Sequence, residues 1–212
     1  MSTTYRFGGI AVAVMLAASA WLSAPRAGEQ RAALELGARP PKSTVRMPNV
    51  DEKLFSIADV AGKKGTLVMF SCNACPWVKA WEDRITSVGN AYQDRGVGVI
   101  VINSNDPQQN SEDSFEVMKQ RARERGFAFP YVVDSTSEVA AAFGATRTPE
   151  VFLFDGKQEL VYHGAIDDNA KEPAKVEEDY LVDALEAMLT GKPIPVRQTK
   201  AIGCSIKFRE SA

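Results

Sequence analysis

Cysteine and histidine are scarce in this 212-residue sequence, which contains three cysteines and one histidine. Cys72 and Cys75 are separated by two residues, whereas Cys204 and His163 stand far from that pair and from each other. A Cys-x-x-Cys pair forms half of a zinc site only when a second pair of Cys or His residues completes it. The sequence offers no second closely spaced pair, so we expect no bound metal and no other cofactor.

Positive charge is also scarce. The formal net charge is −2 at pH 7, and no run of Lys or Arg residues occurs in the body of the chain. Nucleic acids and anionic membrane surfaces are bound through clustered positive charge. The composition therefore argues against both as partners.

The N-terminal segment differs from the rest of the chain. Residues 1–27 contain Arg6 and Arg26 but no acidic residue, and an apolar run from Ile10 to Leu22 precedes small residues. This pattern predicts a secretory signal peptide, although the run approaches the length of an uncleaved membrane anchor. Either interpretation predicts a periplasmic or secreted protein, with no stable membrane partner if the segment is cleaved.

The remaining chain is long enough for one ordinary domain with additions at both ends. Residues 28–47 are polar and predict a linker or an N-terminal arm draped over the domain. Residues 48–190 carry the strand and helix patterns. Residues 191–212 predict an extended tail that carries Cys204, because Pro193 and Pro195 exclude a helix at its start.

The central stretch of the sequence contains the closely spaced cysteines. Leu67–Phe70 predicts a short buried strand, an apolar-periodic helix follows near Pro76, and Cys72 and Cys75 lie between them. Free N–H groups and aligned peptide dipoles at a helix N-terminus lower the pKa of a thiol. A second thiol two residues away can then form a disulfide or resolve a mixed one. The arrangement predicts thiol–disulfide exchange.

Two alternatives remain for this pair. An inert structural disulfide would stabilise the fold little, because a two-residue loop removes little entropy from the unfolded chain. The choice of attacking sulfur depends on where the helix begins. A helix that begins at Pro76 would place Cys75 at the N-cap and activate it, whereas a helix that begins at Cys72 would favour Cys72. We expect Cys72 to be the attacking thiol.

The residues that follow alternate between helical and strand patterns. The predicted elements are a helix over 76–94, a strand over 96–103, a helix from 111 to 125, a strand over 130–134, a short helix over 137–143, and a hairpin of strands 150–154 and 159–164. Strands that alternate with helices and end in a hairpin predict an α/β fold with a mixed sheet.

This order of elements resembles the thioredoxin fold, in which helices cover both faces of a central mixed sheet. The extra strand and helix between Gly96 and Arg125 resemble the redoxin branch, which includes the alkyl hydroperoxide reductase/thiol-specific antioxidant family and exported thiol–disulfide oxidoreductases. The resemblance extends over residues 50–208. It rests on three motifs, Cys72-Asn-Ala-Cys75-Pro-Trp-Val-Lys, Ser104-Asn-Asp-Pro107 and Gly203-Cys-Ser-Ile-Lys-Phe208.

The resemblance implies roles for particular residues. Cys72 would be the exposed nucleophile that attacks a protein disulfide, and Cys75 would resolve the mixed disulfide. Thr148 and Pro149 match the cis-proline loop, which lies against both sulfurs and offers backbone groups to a bound peptide. The acid that often accepts a proton in this fold is missing from Leu67–Phe70. The sequence predicts neither the direction of transfer nor the oligomeric state.

A thiol-dependent peroxidase is the second hypothesis. Peroxiredoxins carry a Pro-x-x-x-Thr-x-x motif before the reactive cysteine, whereas Gly65 and Met69 occupy those positions before Cys72. Before Cys75, the same positions hold Val68 and Cys72. The peroxidase motif is therefore absent.

A copper-carrying assembly protein is the third hypothesis. Thioredoxin-like copper carriers use two cysteines and a distal histidine, and thiolates with imidazole suit copper. Those proteins separate their cysteines by three residues, whereas this sequence has two. His163 falls in a predicted hairpin strand, where we expect a half-exposed imidazole.

Cys204 has two interpretations. Apolar residues alternate with Gly203, Ser205 and Lys207 around it, so Cys204 faces the apolar side of an extended segment. It would then be a buried, inert thiol beneath an added strand. Alternatively, the tail folds back over the active site and Cys204 acts as a third redox thiol that resolves Cys72 or relays electrons. That role requires the Cα atoms of Cys204 and Cys72 to lie within about 7 Å of each other, or a tail loose enough to bring them there.

Overall fold

The computed structural model describes residue 1 and residues 33–210. Apart from its first residue, the predicted signal peptide over residues 1–27 lies outside the described part, as do residues 28–32. Among the described residues, no helix has the length and apolar character needed to cross a membrane.

A mixed sheet forms the centre of the described chain. The strands are β1 (Met47–Pro48), β2 (Leu54–Phe55), β3 (Gly65–Phe70), β4 (Val97–Asn103), β5 (Tyr131–Val133), β6 (Arg147–Thr148), β7 (Glu150–Asp155), β8 (Leu160–Gly164) and β9 (Cys204–Ser205). The central sheet has the order β5-β4-β3-β7-β8. Strands β3, β4 and β5 run parallel, whereas β7 is antiparallel to both β3 and β8. The predicted α/β architecture with a mixed sheet is confirmed.

Four α-helices surround this sheet in the described chain. They are α1 (Pro76–Gln93), α2 (Phe115–Arg125), α3 (Glu138–Phe143) and α4 (Tyr180–Thr190), with 3-10 helices at Ser111–Asp113 and Pro173–Lys175. No element is predicted from the sequence between Gly164 and Gly191, so α4 is an addition. Its buried residues Leu181, Ala184 and Leu185 recur at helical spacing, and this pattern in the sequence could have predicted the helix.

Each face of the sheet carries its own apolar cluster. Because side chains alternate across a strand, Leu67 and Met69 of β3 face one cluster, whereas Val68 and Phe70 face the other. Buried residues of α1, α2 and α4 pack in the first cluster, and those of α3 pack in the second. Helices therefore cover both faces, as the thioredoxin-like fold requires.

The described part of the N-terminal arm packs on the domain. The N–H of Leu34 donates to the carbonyl of Phe143 at 3.2 Å, and that of Gly37 donates to the carbonyl of Leu160 at 2.8 Å. Leu34 and Val45 also contact the second apolar cluster. Of the two interpretations of residues 28–47, these contacts fit an arm that lies against the domain.

All six residues of β3 are buried at the centre of the sheet. Its carboxyl end leads through Ser71 directly to Cys72, and α1 begins a few residues later. The two closely spaced thiols therefore lie at the carboxyl end of the most buried strand, in the short connection between β3 and α1.

Candidate active site

The thiols occupy the connection between β3 and α1. Helix α1 begins at Pro76, and Cys75 is its N-cap residue with an extended backbone (φ −75°, ψ 122°). Both thiols are free, and Cys72 is 2% exposed and Cys75 3% exposed. The expectation that Cys72 is exposed is therefore wrong. Because the helix begins after Cys75, Cys72 remains at the end of the buried strand instead of at an exposed helix start.

Thr148 contacts both sulfurs. Its hydroxyl lies 3.1 Å from Cys72 Sγ, and its carbonyl oxygen lies 3.2 Å from Cys75 Sγ, where it accepts a hydrogen bond when that thiol is protonated. The Thr148–Pro149 peptide bond is cis, as predicted. The structure thus places the predicted cis-proline loop beside the thiol pair.

Asp113 holds the turn between the two cysteines. Its carboxylate accepts hydrogen bonds from the backbone N–H groups of Asn73 at 2.7 Å and Ala74 at 3.3 Å. It also accepts from the side-chain amide of Asn105 at 2.9 Å. Asp113 is buried, at 3% exposure, in the 3-10 helix that precedes α2. From the sequence, this residue is read only as part of a helix start, so its contact with the thiol turn was missed.

Asn73 connects the same turn to the sheet. Its side-chain amide donates to the carbonyl of Glu112 at 2.8 Å, and its side-chain oxygen accepts from the Tyr131 hydroxyl at 2.9 Å. The Asn73 side chain is fully buried. The first residue between the cysteines therefore fixes the shape of the turn and does not face a partner.

Glu150 braces the opposite side of the site. Its carboxylate accepts hydrogen bonds from the backbone N–H groups of Thr146 and Arg147, both at 2.8 Å. The other carboxylate oxygen lies 2.8 Å from His163 Nε2. These contacts hold the chain that leads into the Thr148–Pro149 bond.

His163 is buried, at 6% exposure, so the expected half-exposed imidazole is wrong. Tail residues cover this part of β8: the N–H of His163 donates to the carbonyl of Arg197 at 3.1 Å. The ring stacks on Phe152 with 4.3 Å between ring centroids. No group of three or more His, Cys, Asp or Glu residues suited to a metal ion occurs in the described part of the chain.

The surroundings of the two thiols affect their ionisation in opposite directions. A hydrogen bond from the Cys72 thiol lowers the pKa of Cys75 to about 5, with burial opposing and further hydrogen bonds from Cys204 and from the Val78 N–H assisting. The pKa of Cys72 is raised, first by its hydrogen bond to Cys75, then by burial and by the negative charge of Asp113. Cys75 is therefore the first of the pair to ionise.

The C-terminal tail completes the site. Strand β9 pairs antiparallel with β6, so that Cys204 lies opposite Thr148. Cys204 is half-buried and lines a cleft of about 160 Å³ together with Cys72 and Cys75. The expectation of a fully buried thiol beneath an added strand is wrong, because β9 pairs at the cleft and not across the far side of the sheet.

Comparison with known proteins identifies the family. A sequence model of the AhpC/TSA family matches residues 37–163, which is more than half of the chain. The chain belongs to the AhpC/TSA family. This membership confirms the thioredoxin-like redoxin resemblance. The matched region includes the thiol turn, Asp113 and the cis-proline loop, whereas Cys204 lies beyond it.

Two crystal structures are similar to this AhpC/TSA-family chain over most of its length. An uncharacterized conserved protein from Geobacillus kaustophilus is 40% identical, with a TM-score of 0.78, and the match covers 84% of this chain and 94% of that chain. A hypothetical protein from Sinorhizobium meliloti 1021 is 33% identical, with a TM-score of 0.76, covering 85% of this chain and 98% of that chain.

A curated relative has a functional name. The thiol-disulfide oxidoreductase ResA of Halalkalibacterium halodurans is 26% identical over 116 residues, which are 54% of this chain and 61% of that protein. The match thus spans less than two thirds of that relative. It is consistent with the AhpC/TSA family and covers a part of each protein only.

Proposed function

We propose that this AhpC/TSA-family protein is an exported thiol–disulfide oxidoreductase that exchanges disulfides with a protein partner through Cys72 and Cys75. The observation that carries the proposal is the contact of both sulfurs with Thr148, at 3.1 and 3.2 Å, directly before helix α1. Two thiols on one short turn can exchange a disulfide without a large movement of the backbone. The name of the ResA relative supports the same reaction class.

Cys75 is the attacking thiol in this proposal, in place of Cys72. Its position at the N-cap of α1 and the lowered pKa of about 5 keep it ionised near neutral pH. The Cys75 thiolate attacks a disulfide of the partner, which forms a mixed disulfide and releases one partner sulfur as a thiolate. The released thiolate takes up a proton.

Cys72 then completes the transfer. Before capture, the Cys75 thiolate raises the pKa of Cys72 through its negative charge and through the hydrogen bond that it accepts from the Cys72 thiol. Both effects are lost once Cys75 is part of a mixed disulfide. The Cys72 thiol loses its proton and attacks Cys75 Sγ, which forms the Cys72–Cys75 disulfide and releases the second partner sulfur. Two electrons have passed to the partner. Because each exchange step is reversible, the same pair can also oxidise a partner dithiol.

The partner must reach the thiols through the cleft. Besides the three thiols, its lining includes Ala74, Asn105 and Lys207. An extended protein segment that carries a cysteine fits such an opening better than a folded surface does. We therefore expect the partner disulfide to lie in an exposed loop or a terminal segment.

Disulfide reduction of insulin, with dithiothreitol as the electron donor, tests the proposal. We expect the protein to accelerate insulin precipitation, and the Cys75→Ser variant to lose this activity, since a hydroxyl cannot form the mixed disulfide. Circular dichroism of both proteins verifies that the variant is folded. Equal rates for the two proteins would overturn the proposal.

The same preparation distinguishes a peroxidase. Met69 occupies the position where the peroxidase motif has threonine, and it is a buried residue of β3. We therefore expect hydrogen peroxide to be consumed no faster than by an equal concentration of a free thiolate. Rapid peroxide consumption without insulin reduction would assign the protein to the peroxidases of its family.

Export is proposed from residues 1–27 alone. Expression of the full chain in a bacterial host, followed by cell fractionation and measurement of the intact mass, tests this part separately. We expect a periplasmic protein that has lost the N-terminal segment. A full-length protein in the cytoplasm would contradict export and would leave the thiol chemistry untouched.

A further inference from the structure

The tail holds Cys204 at the thiol pair through contacts on both of its sides. Before it, Gly203 passes so close to the cis-proline loop that an added Cβ would lie 2.1 Å from the carbonyl oxygen of Thr148. After it, the N–H of Ile206 donates to the carbonyl of Thr146 at 3.0 Å, and the Ile206 side chain is buried in the second apolar cluster. The position of Cys204 is therefore fixed by the fold.

The next residue ties the tail to the other wall of the cleft. The N–H of Lys207 donates to the side-chain oxygen of Asn105 at 2.9 Å, and its carbonyl accepts from the N–H of Asp106 at 2.7 Å. Asn105 in turn donates to Asp113, which holds the thiol turn. The tail thus connects the loop before Asp113 to the cis-proline loop and crosses the opening between them.

Cys204 also contacts the sulfur that ionises first. Both thiols line the same cleft, and hydrogen bonding by the Cys204 thiol and backbone N–H is among the causes that lower the pKa of Cys75. Strand β9 enters the site as an added antiparallel strand beside Thr148, which is the way an extended peptide binds to a free strand edge. In this arrangement, the tail presents Cys204 to the cleft that Cys72 and Cys75 also line.

We propose that Cys204 is a third redox thiol, which resolves mixed disulfides at Cys75 by forming an intramolecular Cys75–Cys204 disulfide. The inference rests on the proposed function, since it requires Cys75 to form mixed disulfides. It replaces the sequence-based hypothesis in which Cys204 resolves Cys72.

The exchange balances without another reactant. In the mixed disulfide, Cys75 Sγ is bonded to a partner sulfur. Cys204 loses its proton and attacks Cys75 Sγ, which forms the Cys75–Cys204 bond and releases the partner sulfur as a thiolate that takes up a proton. Cys72 can attack the same sulfur in a second exchange, which forms the Cys72–Cys75 disulfide and returns Cys204 to the thiol form.

The charges around Cys204 favour this order. Burial, together with the hydrogen bond and negative charge of Cys75, raises the pKa of Cys204 to about 11, while Lys207 and Arg147 lower it. Capture of Cys75 in a mixed disulfide removes its negative charge and leaves the two cations. For Cys72, burial and the charge of Asp113 still oppose ionisation after the capture. Cys204 is then the more readily ionised of the two remaining thiols.

The test uses the full chain, with oxidised glutathione as the partner disulfide. Reduced Cys72→Ser protein is treated with oxidised glutathione, quenched by alkylation at intervals, and digested for mass spectrometry. We expect a Cys75–Cys204 cross-link, with the glutathione adduct on Cys75 lost at least about tenfold faster than in the Cys72→Ser/Cys204→Ser protein, because the neighbouring thiol has a high effective concentration.

A positional control tests whether the cross-link depends on the fixed position of Cys204 or only on a thiol in a mobile tail. In Cys72→Ser/Cys204→Ser/Ser205→Cys, the tail thiol is moved by one residue, which turns it to the other face of β9. We expect this protein to retain the adduct on Cys75. A cross-link that forms equally fast in this control would overturn the proposal, because it would result from random collision of a mobile tail.

The remaining outcomes distinguish this inference from the proposed function. If the wild-type protein resolves the glutathione adduct by forming Cys72–Cys75, but the Cys72→Ser protein keeps its adduct, Cys204 is not a redox thiol and the proposed function stands. If Cys75 of the wild-type protein never accepts glutathione, both proposals fail.

Discussion

Asp113 and Glu150 are buried carboxylates on opposite sides of the thiol cleft, and both accept hydrogen bonds from pairs of backbone N–H groups. Their other partners differ. The carboxylate of Asp113 also accepts a hydrogen bond from the neutral side-chain amide of Asn105, whereas the carboxylate of Glu150 is hydrogen-bonded to the His163 ring. The charge of Asp113 is also one of the main causes of the raised pKa of Cys72, after the hydrogen bond to Cys75 and burial.

This difference separates two tasks that a buried carboxylate can perform. Glu150 determines the path of the chain into the cis-proline loop. Asp113 determines the shape of the thiol turn, and its charge adds to the hydrogen bond of Cys75 and to burial in raising the pKa of Cys72. Substitutions at the two positions should therefore differ in their effect on thiol chemistry more than in their effect on stability.

We expect the largest loss of stability for Asp113→Ala, because it leaves the N–H groups of Asn73 and Ala74 without an acceptor. The cost is about 3 kcal/mol, since each buried unsatisfied donor costs about 1–3 kcal/mol. Urea unfolding of the reduced protein measures it. Asp113→Asn keeps an acceptor oxygen and should lose less. A loss below about 1 kcal/mol for the alanine variant would contradict the role of Asp113 in the turn.

Glu150→Ala should cost about 2 kcal/mol, since the N–H groups of Thr146 and Arg147 are only partly buried and can gain water as a partner. The rate of Cys72 alkylation should be unchanged, since Glu150 is not among the main causes of the raised pKa of Cys72. The comparison of the two carboxylates fails if Glu150→Gln raises this rate as much as Asp113→Asn does.

Local patterns were sufficient to predict much of this architecture. The strand before Cys72, the helix after Pro76 and the buried strand that became β4 are each encoded by contiguous residues. The role of Asp113 depends on a 3-10 helix that returns to the thiol turn from a distant part of the chain, and no local pattern encodes that contact. Period two placed Cys204 on one face of its segment, but the pairing partner of β9 depends on where the tail returns.

The pH dependence of Cys75 alkylation tests which of the two cysteines ionises first. A thiol reacts as the thiolate, which predominates above its pKa, so the rate of Cys75 alkylation should rise as the pH increases through about 5 and then level off. Cys72→Ala removes the hydrogen bond that lowers this pKa most, and should move the midpoint upward by about one pH unit, equivalent to about 1.4 kcal/mol.

Cys72→Ser is the matched variant, since its hydroxyl can still donate to Cys75. We expect its midpoint to lie between those of the wild-type protein and Cys72→Ala. Alkylation is followed at each pH by mass spectrometry of the Cys75 peptide, which separates it from Cys204. Identical midpoints in the three proteins would show that the Cys72 thiol does not stabilise the Cys75 thiolate.

The smallest effect is expected for the tail. Gly203→Ala introduces a Cβ that must move away from the Thr148 carbonyl, so β9 shifts at a cost of about 1 kcal/mol. Ser205→Ala, two residues further along the tail, should cost under about 0.5 kcal/mol, since Ser205 is exposed. Thermal unfolding of the two variants compares them, and equal midpoints would contradict the close approach of Gly203.

The central claim is that electrons reach a protein disulfide from Cys72 and Cys75. A single-turnover reaction of the fully reduced protein with excess insulin, without added reductant, tests it most directly when the remaining thiols are alkylated and mapped. We predict one Cys72–Cys75 disulfide for each insulin disulfide broken. The claim would be contradicted if insulin were cleaved while Cys72 and Cys75 remained free thiols, as shown by their alkylation. It would also be contradicted if the folded protein cleaved no insulin.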